Sequence, residues 1–318
     1  MKKVTFAAVG RDLYLDLPLS QTVVDYRQEG MIADMIAPVV PVYKQSGAII
    51  EFSQADRWRI VDDRRAPGTE AKRFTIDVSS SLYYCANHAL QTGVTIEDRN
   101  NADPVFAAHL LTNGATMLTD KLQLNWENRI GLKVTSTTNV GSSAAVSSIW
   151  TGAGADPILD LNTAIDNVRY ATGYRPNRMV FGPKAWDGFR RHSTVRNIVY
   201  GTNNGGGFVN QTQVRALFEM EQVMVAGTFK NTAEENIAAS ISAIWGPSVL
   251  VYYTPMTSSI DRPSFMYSYR LSAPGIPNMQ VERHPYNSKT KTDDIEVGYY
   301  QDENIVGKRF GFLVQSCA

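Results

Sequence analysis

The sequence has few of the residues and patterns on which metal sites and disulfide scaffolds depend. Its 318 residues include only two cysteines, Cys85 and Cys317, which lie far apart and form no CxxC pair. Neither a disulfide scaffold nor a zinc knuckle is therefore indicated, and a reducing compartment is expected. The four histidines are scattered, and no HExxH spacing occurs. We expect no metal and no cofactor.

Excess charge of one sign and long apolar runs are also missing. The formal net charge is zero at pH 7, so the total does not indicate a strongly basic surface for nucleic acid or anionic membrane. No apolar run approaches the roughly 18–20 residues that span a bilayer. The first residues soon include Arg11, Asp12 and Asp16, which a signal peptide would not. The sequence therefore predicts a soluble, cytosolic product.

Motifs for catalysis are scarce as well. The run Gly205-Gly206-Gly207 lacks the GxxxxGK[ST] pattern of a phosphate-binding loop, and a flexible loop is the better interpretation. No GxSxG nucleophile elbow occurs. The pair Asp62-Asp63 lies in a polar stretch, whereas a general acid or base needs a buried site that perturbs its pKa. We predict that the protein is not an enzyme.

What the sequence does contain is a long helical pattern over residues 103–133. Asp103 supplies an N-cap acceptor, and Pro104 suits the first helical turn. About 30 residues at ~1.5 Å each make a rod of roughly 45 Å, which predicts an elongated domain laid along it. The alternative is an ordinary amphipathic helix broken near Gly114. Apolar residues recur at spacings of three or four: Leu111, Ala115, Leu118, Leu122, Trp126 and Ile130.

The segment before this helix predicts an arm and a projecting loop. Residues 1–30 have the composition of an arm that gains order against another surface. Residues 48–53 and 73–79 are predicted to be paired strands, and the 54–72 insert between them is too long for an ordinary hairpin loop. Its interleaved arginines and acids indicate a two-stranded flap that meets a charged partner, or else a solvated mobile loop. Residues 81–92 are predicted to form a short helix.

The chain after the long helix divides into a linker, an α/β module and a β-rich tail. Residues 135–154 are rich in small and polar residues and form the clearest linker. A helix over 157–172, ended by Gly173, opens the α/β module. Further helices are predicted at 183–189 and 211–220, and strands at 178–181, 223–226, 239–245, 249–253, 265–271, 279–284, 295–300 and 309–315.

Several short motifs resemble, in their order, the major capsid proteins of tailed bacteriophages, which have the Hong-Kong-97-like capsid fold. Each motif is weak alone, but their order and the architecture read independently from the sequence make the resemblance specific. They cover most of the chain from about residue 30 to 315 and fall at 36–42, 62–68, 122–129 with Trp126-Glu127, Trp150 with Asp156-Pro157, 172–177, 244–246, 252–253 and 263–265.

The resemblance implies an α+β fold with five parts. These are an N-terminal arm (residues 1–45), an extended β-hairpin loop (46–80), a peripheral domain with a long spine helix (81–149), an α/β axial domain (150–255) and C-terminal strands that belong mostly to the peripheral domain (256–318).

The resemblance also implies a structural role in the virion. Copies of the chain would assemble as hexamers and pentamers into an icosahedral head that encloses double-stranded DNA, after a period in the host cytoplasm. Implied partners are other copies, non-specifically contacted DNA, and scaffolding, portal and decoration proteins, with no membrane. The nearest alternative is an encapsulin-like compartment shell, which shares the fold. A second alternative is an α/β enzyme with a pocket in the axial domain.

Under this resemblance, the extended loop contacts neighbouring subunits. Its arginines would pair with acids of the neighbours, and its tryptophan would supply buried area. Some family members cross-link a loop lysine to a neighbour's asparagine, but the flap's single lysine lies on its descending side, so this chemistry is not expected here. The predicted contact residues are Arg57, Trp58, Arg59, Asp62, Asp63, Arg64, Arg65 and Lys72.

Overall fold

The computed structural model describes residues 30–52, 58–71, 73–75, 78–101, 104–152, 154–201, 207–234, 237–260, 262–272, 278–284 and 286–318. In chain order, its elements are α1 (Ala33–Ile36), β1 (Val39–Val42), β2 (Ser46–Phe52), β3 (Val78–Tyr84), β4 (Ala86–Thr95), α2 (Ile96–Asn101), α3 (Pro104–Val134), β5 (Ser142–Ala145), α4 (Pro157–Thr172), β6 (Arg178–Phe181), α5 (Pro183–Arg191), α6 (Ser193–Tyr200), α7 (Gln211–Phe218), β7 (Gln222–Val225), β8 (Phe229–Asn231), β9 (Ile241–Ala243), β10 (Val249–Tyr252), β11 (Met266–Leu271), β12 (Gln280–Arg283), β13 (Thr292–Ile305), a 3-10 turn (Lys308–Phe310) and β14 (Gly311–Gln315).

The spine helix α3 is continuous over 31 residues, so the predicted rod is confirmed and the alternative of a break near Gly114 is wrong. Its apolar stripe serves two cores. Around its middle, Leu118 and Leu122 pack with strand residues such as Val297. Near its end, Ile130 packs in a separate cluster with residues of the second lobe of the protein. One helix therefore ties two lobes together.

The first lobe is a five-stranded sheet that lies against the spine. Its strand order is β1-β11-β13-β12, with β4 also paired to β13. The 14-residue β13 pairs antiparallel with β4 from Thr292 opposite Thr95 to Gln301 opposite Ala86. We call this sheet and the spine the peripheral lobe.

The predicted helix at residues 81–92 is wrong. The end of β3 and most of β4 occupy these residues, and β4 alternates between half-buried and exposed positions along most of its length. That alternation has the period of two that a strand requires. The small and polar residues of this segment have weak preferences of their own, so pairing with the long strand β13 decides the structure.

The second lobe, here the central lobe, is a sheet of order β5-β14-β10-β6-β7 with helices α4 to α7 packed on it. The helix α4 begins where the Asp156 carboxylate accepts hydrogen bonds from the amides of Ile158 and Leu159, and it ends at Gly173 in the left-handed region. The short helix α6 is not among the sequence predictions.

Two parts of the chain join the central lobe from outside residues 150–255. Strand β14 of the tail lies in the central sheet, next to β10. Strand β5 lies within the stretch predicted to be a linker and pairs parallel with β14, with Ser142 opposite Phe312. Its side chains are small and exposed, so composition alone indicates a loop, and only the backbone pairing reveals the strand. The domain boundaries drawn from the resemblance stay a prediction.

Two hairpins stand apart from the large sheets. Strands β2 and β3 pair antiparallel from Ser46 opposite Tyr84 to Phe52 opposite Val78. The first strand is as predicted, but its partner starts at residue 78 and not at 73, so the projecting loop is longer than expected. The second hairpin pairs β8 with β9, with Phe229 opposite Ala243 and Asn231 opposite Ile241.

Candidate functional site

The extended loop that follows β2 exposes its charged side chains. Asp62, Asp63, Arg64 and Arg65 are all solvent-exposed. Two local hydrogen bonds shape this part of the loop: the amide of Arg64 donates to the Asp62 carboxylate at 3.2 Å, and Arg65 Nε donates to the carbonyl oxygen of Thr69 at 2.5 Å. These side chains therefore lie on the surface of the subunit.

The remaining predicted contact residues behave differently from one another. Arg57 and Lys72 lie outside the described residues, and Arg59 is exposed. Trp58 is half exposed, and its indole lies over Gly173 at the end of α4: a Cβ atom at that glycine would be 2.9 Å from Trp58 Cζ2. The loop's tryptophan therefore contacts the central lobe of its own chain.

The base of the extended loop carries an apolar surface that the sequence analysis did not identify. Leu82 and Tyr84 project from β3 and are 79% and 62% exposed, and nearby Tyr43 is 79% exposed. The opposite face of the hairpin is buried, since Ile49 and Tyr83 pack on the peripheral sheet. Residues 78–84 (Val-Ser-Ser-Ser-Leu-Tyr-Tyr) show no regular alternation of apolar and polar side chains, so only the pairing of β3 with β2 reveals the two faces of this strand.

A buried carboxylate joins the arm to both lobes. Glu127 of the spine helix has no solvent exposure. One of its oxygens accepts the backbone N–H groups of Ile32 and Ala33 at 3.0 and 2.7 Å. The other accepts Trp245 Nε1–H at 2.6 Å and the Thr228 hydroxyl at 3.5 Å. This side chain therefore fixes the start of α1 to the spine and to the central lobe.

The electrostatics of Glu127 reflect this burial. Burial raises the pKa of Glu127, while the hydrogen bonds from Trp245, Ala33 and Ile32 act in the opposite direction.

At the other end of α1, the carbonyl oxygen of Met35 accepts hydrogen bonds from Arg178 at 2.6 Å and Tyr252 at 3.1 Å, both in the central lobe. The root of the arm is thus held at both ends.

A second polar network fixes the spine to the peripheral sheet. Arg129 donates through Nε and Nη2 to one oxygen of Glu303, at 3.1 and 2.8 Å, and through Nη2 to the Tyr299 hydroxyl. Burial alone would raise the pKa of Glu303, but the hydrogen bond and charge of Arg129 hold it below its usual value. Arg270 lies over the rings of Trp126 and Tyr299, with its guanidinium carbon 5.2 and 4.8 Å from their centroids.

The part of the chain that the structure describes shows few of the side-chain clusters and pockets that a cofactor or catalytic site would need. There, no three His, Cys, Asp or Glu side chains cluster as metal ligands, and no helix is long and apolar enough to cross a membrane. A cleft of about 940 Å³ lies on the central lobe, lined in part by Asp156, Lys184, Asp187, Arg191 and His192. Its two carboxylates are already engaged, Asp156 as a helix cap and Asp187 in an ion pair within α5.

Comparison with known proteins shows a likeness to phage major capsid proteins. Residues 107–236 match the family model described as phage major capsid protein E. The chain is 23% identical over 280 residues to the major capsid protein of Burkholderia phage BcepMu, covering 84% of this chain and 87% of that protein.

Solved structures share the fold over nearly the whole chain. A phage-related protein of Bordetella bronchiseptica RB50 has a TM-score of 0.76 at 23% identity, covering 96% of this chain and 98% of that one. The capsid of cyanophage P-SCSP1u follows with 0.56 at 9% identity, covering 91% and 88%. An encapsulin of Synechococcus elongatus PCC 7942 has 0.52 at 13% identity, covering 91% and 88%. The α+β Hong-Kong-97-like fold and the resemblance to phage major capsid proteins are both confirmed.

Proposed function

We propose that this chain, a major capsid protein with the Hong-Kong-97-like fold, assembles as hexamers and pentamers into the icosahedral head of a tailed phage. The head encloses double-stranded DNA, which the chain contacts without sequence specificity. The protein resides in the virion and, during assembly, in the host cytoplasm. It performs no catalysis. Scaffolding, portal and decoration proteins are further candidate partners.

One observation carries the assembly proposal: the β2–β3 hairpin uses only one of its faces within the subunit. The outward face leaves Leu82, Tyr84 and Tyr43 largely exposed at the base of a charged loop. An apolar patch rimmed by charge is typical of a surface that another protein covers. In a shell the covering molecule is a second copy of the chain, because identical subunits present the same patch many times.

The energy available from this face is sufficient to matter for assembly. Burying one large apolar side chain contributes about 1.5–3 kcal/mol, and each 1.4 kcal/mol changes an association constant about tenfold. The exposed Arg64 and Arg65 add charge pairing, which salt weakens. The apolar patch therefore supplies affinity, and the charged loop above it supplies orientation and partner choice.

The test is assembly of variants of the patch and the loop at matched concentrations. Leu82→Ser is expected to raise the concentration needed for assembly by about tenfold or more, from the burial energy of one leucine. The double reversal of Arg64 and Arg65 to Glu is expected to weaken assembly most at low salt. Leu159→Ser, on the outer side of α4 and 62% exposed, is the matched control. Equal losses for Leu82→Ser and Leu159→Ser would contradict a special role for the hairpin.

The encapsulin-like alternative differs in what the shell contains. A phage head holds nuclease-protected double-stranded DNA, whereas a compartment shell holds a cargo enzyme. Particles recovered from infected cells are therefore treated with nuclease and opened, and their contents are measured as DNA and as co-purifying protein. Protected DNA supports the phage head. Particles that lack DNA and contain one enzyme in a fixed ratio to the shell protein would instead support the compartment shell.

A further inference from the structure

The polar network between the spine and the peripheral sheet holds more positive than negative charge. Arg129 and Lys133 of the spine both lie beside the Glu303 carboxylate, at 2.8 and 3.8 Å. A third cation, Arg270 of β11, donates through Nε to the side-chain oxygen of Gln301 at 2.8 Å, and it has no carboxylate partner among the described residues. Three cationic side chains therefore share a network that contains one carboxylate.

A half-buried histidine lies against this network. Half-buried and exposed positions alternate along most of β4, and Leu90 packs against the cluster that includes the spine, so His88, two positions earlier, faces the spine as well. His88 is directly opposite Tyr299 of β13, and their ring centroids are 5.6 Å apart. The hydroxyl of Tyr299 accepts a hydrogen bond from Arg129 at 3.1 Å. One aromatic ring therefore separates the imidazole from a guanidinium.

The two acids whose charges act on His88 already have other partners. The Glu303 carboxylate is engaged by the two cations of the spine. The Asp302 carboxylate accepts hydrogen bonds from the Tyr84 amide and from the Asn304 side chain, each at 2.9 Å. A proton on His88 would therefore add a fourth cation, and both of these carboxylates are already occupied.

The electrostatic balance at His88 favours the neutral imidazole. Burial and the charge of Arg129 lower the pKa of His88, and the two acids offset this only in part. Burial raises the pKa of Tyr299 and raises that of Cys85 to about 11, so both neighbours stay neutral between about pH 5 and 7. The charged groups around His88 are Arg129 and Lys133 of the spine, Arg270 of β11, and Asp302 and Glu303 of β13.

We propose that His88 is a proton sensor, and that its protonation in mild acid weakens the packing of β4 on the spine. Separation of β4 from the spine would let water reach the imidazolium and would increase its distance from the cations, so a proton favours the separated state. Because the neutral form is favoured in the folded subunit, its stabilisation is complete above the unfolded-state pKa of ~6.5 and is lost as pH falls toward the lower, folded-state pKa.

The position of β4 in the chain carries this effect to the base of the extended loop. Strand β4 begins two positions after Tyr84, the last residue of β3. Tyr84 belongs to the exposed apolar patch, and its amide is held by Asp302 of β13. Mild acid would thus loosen the patch together with β4. This consequence for assembly rests on the function proposed above, whereas the loosening itself is a property of the single subunit.

The proposal is tested on soluble subunits of the full chain, so the result does not depend on shell assembly. Urea midpoints and amide exchange, corrected for the intrinsic effect of pH, are compared at about pH 7 and about pH 5.5, above the range in which Glu303 titrates. Acid is expected to lower the midpoint and to speed exchange in β4 more than at Leu250 of the buried central sheet. Each unit by which folding lowers the pKa of His88 raises the unfolding constant by up to about tenfold.

Histidine variants separate this response from other effects of acid. His88→Gln cannot take up a proton and is expected to abolish the faster exchange in β4. His284→Gln is the matched control on the same sheet, because His284 has a carboxylate partner in Glu296 at 3.0 Å. Burial also lowers the pKa of His192 in the central lobe, so His192→Gln is expected to alter the acid response of the midpoint and to leave exchange in β4 unchanged.

Three results would overturn the proposal. One is an NMR titration in which the His88 ring of the unaltered chain takes up its proton at or above the ordinary value of ~6.5. Another is faster exchange of β4 in acid that persists in His88→Gln. The third is the same loss of response in His284→Gln. The ring titration needs no substitution, so it decides the point even where His88→Gln does not fold.

Discussion

Replacing Glu127 by alanine is predicted to destabilise the subunit and to loosen the root of the arm. The substitution removes the acceptor for three N–H groups: the amides of Ile32 and Ala33 and the indole N–H of Trp245. A buried donor left without an acceptor costs about 1–3 kcal/mol. Water that enters the space left by the shorter side chain satisfies part of this need, so we expect a total loss of about 3–5 kcal/mol.

Glutamine at position 127 separates the loss of acceptors from the loss of volume. Glu127→Gln keeps the size of the side chain, but its amide nitrogen must face at least one N–H donor, so a loss of about 2–3 kcal/mol is expected. Glu97→Gln, on the exposed side of α2, is the matched control and is expected to change stability by less than about 0.5 kcal/mol.

The assay is urea unfolding of soluble subunits, combined with amide exchange at Ile32 and Ala33. The variants at Glu127 are expected to speed exchange at these two amides more than in the core of the central lobe. Trp245→Phe removes one of the shared bonds, so its effect and that of Glu127→Ala should sum to more than the double variant shows. Glu127→Ala within 0.5 kcal/mol of the unaltered chain, or unchanged exchange at Ile32 and Ala33, would refute the reasoning.

Three further predictions follow from other parts of the structure. Glu303→Gln is expected to cost about 3–5 kcal/mol of unfolding free energy at neutral pH. Because the pKa of Glu303 is lowered in the folded state, its stabilisation is present above the unfolded-state pKa of ~4.3 and is lost as pH falls through the folded-state pKa. The urea midpoint of the variant should therefore fall less on acidification than that of the unaltered chain. Burial raises the pKa of Cys85 to about 11 and that of Cys317 to about 12. A thiol reagent should therefore label neither cysteine in the folded subunit and both in urea. Rapid labelling of the folded subunit would contradict this. Gly173→Ala imposes left-handed strain of about 1–2 kcal/mol and displaces the loop tryptophan. Gly201→Ala also strains a positive-φ position, by about 1–3 kcal/mol, but meets no neighbouring side chain, so only Gly173→Ala should speed tryptic cleavage of the extended loop.

The sequence is most informative where one local rule decides the structure. The spine helix follows from apolar residues at spacings of three and four over residues 103–133, and α4 follows from an N-cap aspartate and a terminal glycine. In both elements the local preferences and the final packing agree. The order of helices and strands after residue 156 is consequently close to the one predicted from the sequence.

Pairing across long distances is what the sequence analysis missed. Strand β4 is built from small and polar residues and takes its structure from β13, about 200 positions later in the chain. Strand β5 likewise depends on β14. A local reading therefore predicts a helix for the first and a linker for the second, because neither segment has a strong preference of its own.

The polar junction at Glu127 was also outside the reach of pattern reasoning. Its donors lie 94, 95, 101 and 118 positions away, and two of them are backbone amides, which any sequence would supply. In the helical pattern, Glu127 simply looks like a polar residue beside Trp126. Its signal in the structure is the complete burial of a carboxylate that accepts hydrogen bonds from three separate segments.

The proposed contact residues of the extended loop stay a prediction. Their interleaved charges are consistent with pairing to a neighbour, yet the structure adds an apolar patch at Leu82 and Tyr84 that is a stronger source of affinity than exposed ion pairs. The two contributions differ in salt dependence, since salt screens charge pairing and leaves apolar burial in place. Assembly measured across salt concentrations would therefore rank them.

The measurement that tests the central claim most directly is the size of the purified chain, by light scattering and negative-stain electron microscopy at low and moderate salt. The account predicts closed shells, or rings with six-fold and five-fold symmetry. A stable monomer of 35.2 kDa under every condition, with no assembly when the other head proteins of the phage are added, would contradict it.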